Sequence, residues 1–274
     1  MAFPNWLSII FSILTVVSFY PQLQCLWLGK NSSGISVYYV LFNLIVATEQ
    51  FTIVFFLLVN NNVGSAIFVH KPHTIGDWLN LGQMTVSYIL FLVLFTLTLH
   101  YLPNDGLAHK STAVAIYIAF LFISVIPAML DVVTGGPHYN GPYRQWPVVL
   151  FGVPHILFIN PVATVLIVVS FIIQVRQTLD GSSSSLSVRG LAVQSLVFAL
   201  LGVSWLLRVR WPPANMPTFY NSPVMNNYLL VGWAAVDYIL FALGQAVLCL
   251  IICRRSITAA QRPVGETEPL LAGH

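Results

Sequence analysis

The sequence predicts an all-α membrane protein, with seven transmembrane helices arranged as two three-helix bundles joined by a linker helix. Three observations predict it. Of the 274 residues, 57% are hydrophobic and only 7% are charged, against about 25% charged in soluble domains. Seven apolar runs approach or exceed the ~20 residues that cross a bilayer. Two short patterns recur in the same order in the two halves of the chain.

The apolar runs cover residues 5–28, 36–59, 76–101, 112–133, 148–175, 188–208 and 228–253. Trp6 and Trp27 bracket the first, and Trp78 and Tyr101 bracket the third, as expected where a helix meets the membrane interface. The connections are short and rich in Gly, Pro, Asn and Ser, and none is long enough for a soluble domain. Lys30, Lys110, Arg176, Arg189, Arg254, Arg255 and Arg262 fall on one side of these spans, and Lys71, Arg144, Arg208 and Arg210 on the other. The basic excess places the C-terminus in the cytosol and the N-terminus outside or in a lumen. A dispersed net charge of +3 gives no nucleic-acid footprint. Cys25, Cys249 and Cys253 lie inside apolar runs, with neither zinc nor disulfide spacing. No metal or cofactor is expected. The opening "MAFPNW" lacks the basic region of a cleavable signal peptide.

The repeat is read from two alignments. In "SFYPQLQCLWLGKNSSGISV", Ser18, Phe19 and Gln22 match Ser170, Phe171 and Gln174 of "SFIIQVRQTLDGSSSSLSV". After a one-residue gap, Ile35-Ser36-Val37 matches Leu186-Ser187-Val188. Downstream, Tyr88-Ile89-Leu90-Phe91 matches Tyr238-Ile239-Leu240-Phe241. The pattern divides the chain into a first repeat (1–101), a linker helix with its loops (102–145), a second repeat (146–255) and a tail (256–274). Parallel repeats of this kind are a transporter plan in which the solute site lies near midplane between the halves.

A proline–glutamine pair ending the first helix before a Gly/Ser loop, in this layout, resembles the PQ-loop repeat proteins. That family includes lysosomal cystine and cationic amino-acid exporters, and SWEET sugar transporters and the KDEL receptor share a related architecture. Pro21-Gln22 matches the motif, whereas Ile173 stands where the second copy would have proline. The resemblance implies a hinge at Pro21, Gln22 and Gln174. Proline removes one helical hydrogen bond, here from the Val17 carbonyl, and the Gln22 amide is expected to limit that cost.

Two acids lie deep in apolar runs: Glu49 in "LIVATEQFTI" and Asp237 in "WAAVDYILF". Intramembrane ionisable residues are functional candidates by default. No lysine or arginine lies near midplane to pair with them, and desolvation without a partner favours a protonated carboxyl. Asp237 and Glu49 are therefore the expected proton-coupling groups, as the resemblance also implies. Asn43 and Gln194 occupy matching places in the second and sixth spans. With Asn160, Tyr88 and Tyr238 they are the expected solute-binding groups. The fifth span, "VPHILFINPV", is expected to break at Pro154 and Pro161. His155 within it reads as a packed or interfacial side chain.

His70 and His73 have metal-pair spacing but no third ligand beside them, and no catalytic motif is present, so an enzyme is not expected. Glu266, Leu270 and Leu271 resemble an acidic dileucine sorting signal, which a sorting adaptor would read. Together these features anticipate a carrier in a lysosome- or vacuole-like membrane that moves a small polar solute. The resemblance makes that solute an amino acid, exported with protons. A non-transporting seven-helix receptor or nutrient sensor, and a sugar uniporter, remain as alternatives.

Overall fold

The computed structural model describes residues 3–60, 69–70, 72–102, 107–134, 148–180, 186–208 and 222–260. Among these residues every regular element is helical. Helix α1 spans Asn5–Gly29, α2 Val37–Phe55, α3 Ile75–His100, α4 Leu107–Ile123, α5 Val125–Thr134, α6 Asn160–Asp180, α7 Val188–Arg208, α8 Pro223–Asn227 and α9 Trp233–Ala260. Among the described residues, seven helical stretches are long and apolar enough to cross a membrane. The chain is a multi-pass, seven-helix membrane protein. Helices suit this solvent because they satisfy every internal backbone polar group without water.

Local chemistry sets the ends. Lys30 adopts a left-handed conformation (φ 46°), and its N–H donates to the Leu26 carbonyl, closing α1. A capping box of Thr74 and Asp77 opens α3. Helix α9 continues to Ala260, past the boundary at 255 expected from the sequence. Pro21 lies inside α1 without ending it.

The fifth span is not broken at its prolines. It is a continuous helix widened by π-helical turns at Val148–Gly152 and His155–Ile159. The N–H of Asn160 reaches back five residues to the His155 carbonyl, while Pro161 has no N–H to offer. Similar turns lie at Phe56–Asn60 and Tyr228–Gly232. All four sit at the end of the bundle opposite Ser36 and Ser187. Such turns concentrate at functional sites.

In each half the third helix packs between the other two: α3 against α1 and α2, and α9 against α6 and α7. Between the halves, α1 meets α7 and α2 meets α6. The first helix of each half thus touches the second helix of the other, as an approximate two-fold axis along the membrane normal requires. Helices α4 and α5 pack on α2, which is buried along most of its length. Ile13, Val16 and Tyr20 of α1 and Leu196, Val203 and Leu207 of α7 are exposed and make the lipid-facing surface.

The two halves meet on aromatic rings at matching repeat positions. Phe91 and Phe241 contact each other edge to face, with centroids 5.4 Å apart. Phe19 packs on Phe91 at 5.0 Å, and Phe171 on Phe241 at 5.6 Å. Each such pair adds about 0.5–1.5 kcal/mol beyond its buried area.

Candidate functional site

At one end of the seam, each half grips the other through its repeat glutamine. The Ser187 N–H donates to Gln22 Oε1 at 2.8 Å, and the Ser36 N–H donates to Gln174 Oε1 at 2.8 Å. These serines begin α7 and α2, so each glutamine satisfies a backbone donor at a helix start, where partners are missing. Gln174 Nε2 also donates to the Gly34 carbonyl at 2.8 Å. The Gln22 side-chain oxygen thus reaches across the seam, a role beyond the one expected of its amide beside Pro21. At Gly190 the two segments are in van der Waals contact: a Cβ there would lie 3.4 Å from the Gln22 backbone nitrogen.

These latches give a stability prediction. Gln174→Leu leaves the Ser36 N–H and the Gly34 carbonyl unpaired, at about 1–3 kcal/mol for each buried group left without a partner. Thermal unfolding in detergent should show a clear loss for Gln174→Leu and for Gln22→Leu. Gln24→Leu, at an exposed position, should be near neutral. Equal effects at all three positions would contradict the latch.

Two small pockets lie along the seam, and both are bounded by Phe91 and Phe241. The one nearer the latches is lined by Gln22, Tyr39, Gln194 and Gln245. The other is lined by Asn43, Gln50, Ser87, Asp237 and Tyr238. Asn43 and Gln194, at matching repeat positions, line different pockets. Asn43 donates to Ser170 Oγ at 3.0 Å, across the seam, and to the Tyr39 carbonyl at 2.8 Å. Gln245 donates to the Tyr39 hydroxyl at 2.9 Å.

Asp237 is buried, and both of its oxygens accept from neutral donors. Gln50 Nε2, from the first half, lies 2.9 Å from Oδ2. Thr164 Oγ1, from α6, lies 2.5 Å from Oδ1, and the Tyr228 hydroxyl lies 2.6 Å from Thr164 Oγ1. A hydroxyl has one proton to donate. With Asp237 ionised, Tyr228 donates to Thr164 and Thr164 donates to Asp237. With Asp237 protonated on Oδ1, the same chain runs the other way. One proton can therefore be gained or lost without breaking a contact.

Glu49 has a partner that its sequence neighbourhood does not reveal. Its Oε1 lies 2.7 Å from His155 Nδ1, and both side chains are buried. His155 Nε2 lies 3.0 Å from the Ile123 carbonyl, which only accepts, so Nε2 carries a hydrogen. The Glu49–His155 contact then holds one proton, on either Oε1 or Nδ1. Glu49 Oε2 has no hydrogen-bond partner among the described residues. The expectation of an unpaired Glu49 is corrected, and His155 is packed, its ring 4.0 Å from that of Phe151.

The other candidates separate. Tyr238 lines the Asp237 pocket and contacts Met84 Sδ at 3.0 Å. Tyr88 instead stacks on Phe51 (5.3 Å) and meets the Tyr117 hydroxyl of the linker at 3.4 Å. Asn160 is fully buried, with neither side-chain polar atom partnered among the described residues. Arg208, read as a charge at the edge of the sixth span, turns into the bundle between α1, α3 and α7. His70 pairs with Asp77 at 3.0 Å, and His73 Nδ1 lies 3.1 Å from the His70 carbonyl. Glu266, Leu270 and Leu271 lie outside the described residues.

Gln50, Thr164, Tyr228 and Arg208 are the site groups that sequence reasoning missed. Gln50 had a signal, as the neighbour of Glu49 in an apolar run. Thr164 and Tyr228 had none beyond being polar. Comparison with known protein families, curated proteins and solved structures found no match to this chain.

Proposed function

We propose that this protein is a proton-coupled carrier for a small polar solute, with the solute path along the seam between its two halves. The observation that supports it best is Asp237. It is a buried carboxyl in a polar pocket, held by Gln50 of the first half and Thr164 of the second. Its reversible hydroxyl chain lets it exchange a proton while the halves stay engaged. Protonation turns the Gln50 contact across the seam from a charge-assisted hydrogen bond into a weaker neutral one, and this difference links the proton to how the halves pack.

In this reading the Gln22 and Gln174 latches close one end, and the Phe91–Phe241 contact separates the two pockets. The halves rock about this barrier to expose the solute site to either face. The PQ-loop resemblance favours an amino acid as solute, an acidic organelle such as a lysosome or vacuole as the address, and export to the cytosol. The basic excess at the latch end favours a cytosolic C-terminus.

The test is flux in proteoliposomes of the purified full chain. Labelled amino acids are offered singly, with and without an inward proton gradient. The proposal expects at least one to accumulate only with the gradient. Flux unchanged by the gradient would favour a uniporter, and absence of flux for every solute would sink the carrier reading.

A further inference from the structure

A cavity of about 280 Å³ lies between α7 and the last span, at the end of the bundle opposite the latches. One wall is the last turn of α7, with Trp205 and Leu206. The other is one face of the last span, from Val224 through Tyr228 and Gly232 to Val236. The two helices touch one turn nearer the latches: a Cβ at Gly202 would meet the Ile239 side chain at 2.6 Å and the Ala235 carbonyl oxygen at 3.2 Å. Beyond that contact they part, and Gly232 and Ala235 put little side chain into the gap.

No charged side chain lines the cavity among the described residues, so a polar solute would lose its water there without replacement. The cavity opens sideways instead. Leu206, Val224 and Val236 on its rim are exposed, and the same surface continues through Val203, Leu207 and Leu243. That surface faces lipid. Its inner walls are buried: Trp205 is 1% exposed, Val231 2% and Ala235 2%. The boundary with lipid therefore extends into the protein here. Left empty, the space would forfeit dispersion contacts along both walls. Its volume is nearly twice the ~150 Å³ that holds benzene in an engineered apolar cavity, which gives room for roughly ten carbons. The lining runs ~18 Å along the last span, a shape that suits a chain better than a compact ring.

We infer that this cavity holds an acyl chain of a bilayer phospholipid, drawn from the leaflet opposite the latches and running inward from Val224 to Ala235. The chain lies against Tyr228, whose hydroxyl meets Thr164 and, through it, Asp237. The lipid site does not depend on the carrier reading.

The test uses the wild-type full chain in phosphatidylcholine vesicles doped with a phospholipid whose acyl chain carries a diazirine. After illumination, adducts are mapped by peptide mass spectrometry. They should form on Val231 and Ala235, which lipid around the outer surface does not touch. Their yield should level off as the labelled lipid is raised, while adducts on the exposed Leu243 and Leu250 rise in proportion. Ala235→Leu fills part of the cavity and should cut the Val231 adducts several-fold, with those on Leu250 unchanged. Residues 209–221, which join the two walls and lie outside the described residues, are the competing occupant, and with them in place the walls would stay unlabelled. Adducts confined to outward residues therefore overturn the inference. So does wall labelling that tracks Leu250 at every lipid fraction, or that is undiminished in a folded Ala235→Leu chain. If that variant does not fold, the wild-type yields decide.

Discussion

Asp237→Asn should abolish accumulation driven by a proton gradient while leaving the protein folded. Asparagine has the shape of the protonated acid. It can donate to Thr164 Oγ1 as Asp237 does when protonated, and its other atom can still accept from Gln50. The variant therefore fixes one of the two states. Its exchange of solute across the membrane should be insensitive to pH, whereas wild-type uptake should rise as the donor side is acidified. The contrast is large, because an amide at this position can neither take up nor release the proton. Flux assays across a pH series check it, with thermal unfolding as the control for folding. A pH profile for Asp237→Asn that overlays wild type would remove Asp237 from the mechanism.

The second large effect is structural. Glu49→Leu leaves His155 Nδ1 buried without its partner, and His155→Leu leaves Glu49 with neither oxygen paired. Removing one member of this buried pair costs about 3–5 kcal/mol if it is ionic and about 1–3 kcal/mol per unpaired group if it is neutral, against a typical folding stability of roughly 5–15 kcal/mol. Replacing both by leucine should recover much of that loss, since a buried pair is often no better than apolar packing of similar volume. Glu49→Gln is the informative variant. Glutamine keeps a donor to Nδ1, so it should be tolerated if a neutral His155 accepts the shared proton from Glu49. It should cost more, though less than Glu49→Leu, if the proton resides on His155, because the amide oxygen still accepts from Nδ1 but no longer offsets the imidazolium charge. Denaturation of the four corners of the cycle measures the coupling. Additive losses from the two single variants would contradict the pairing.

Much of the architecture was legible because lipid imposes a simple rule. A run such as 36–59 must be a helix there, so seven runs give seven spans. The shared YILF pattern located Phe91 and Phe241, which meet at the seam. The paired glutamines were visible as a repeat, but their reciprocal grip was not, because it depends on how α1 docks on α7 and α6 on α2. Asp237 and Glu49 stood out as acids in apolar runs. Their partners did not, because Gln50 and Asp237 lie 187 residues apart, and His155 and Glu49 lie 106 apart. Helix packing alone brings them together. Tyr88 and Tyr238 show the limit of repeat reasoning: one motif, but one ring faces the linker and the other the pocket. Arg208 was misread because a charge at a span edge ordinarily faces water. Here Phe3, Phe11 and Trp205 provide aromatic faces that let it turn inward.

The central claim is that the seam opens to water at each face in turn. Ala47 is buried there, lining the Asp237 pocket, and cysteine is a small change at that position. The measurement uses Ala47→Cys in a chain with Cys25, Cys249 and Cys253 replaced by alanine, reconstituted in vesicles and exposed to a charged, membrane-impermeant thiosulfonate. The account predicts reaction from either face, slowed by bound solute, with flux arrested once the thiol is modified. A thiol that stays unreactive from both faces while the same vesicles transport solute would contradict it.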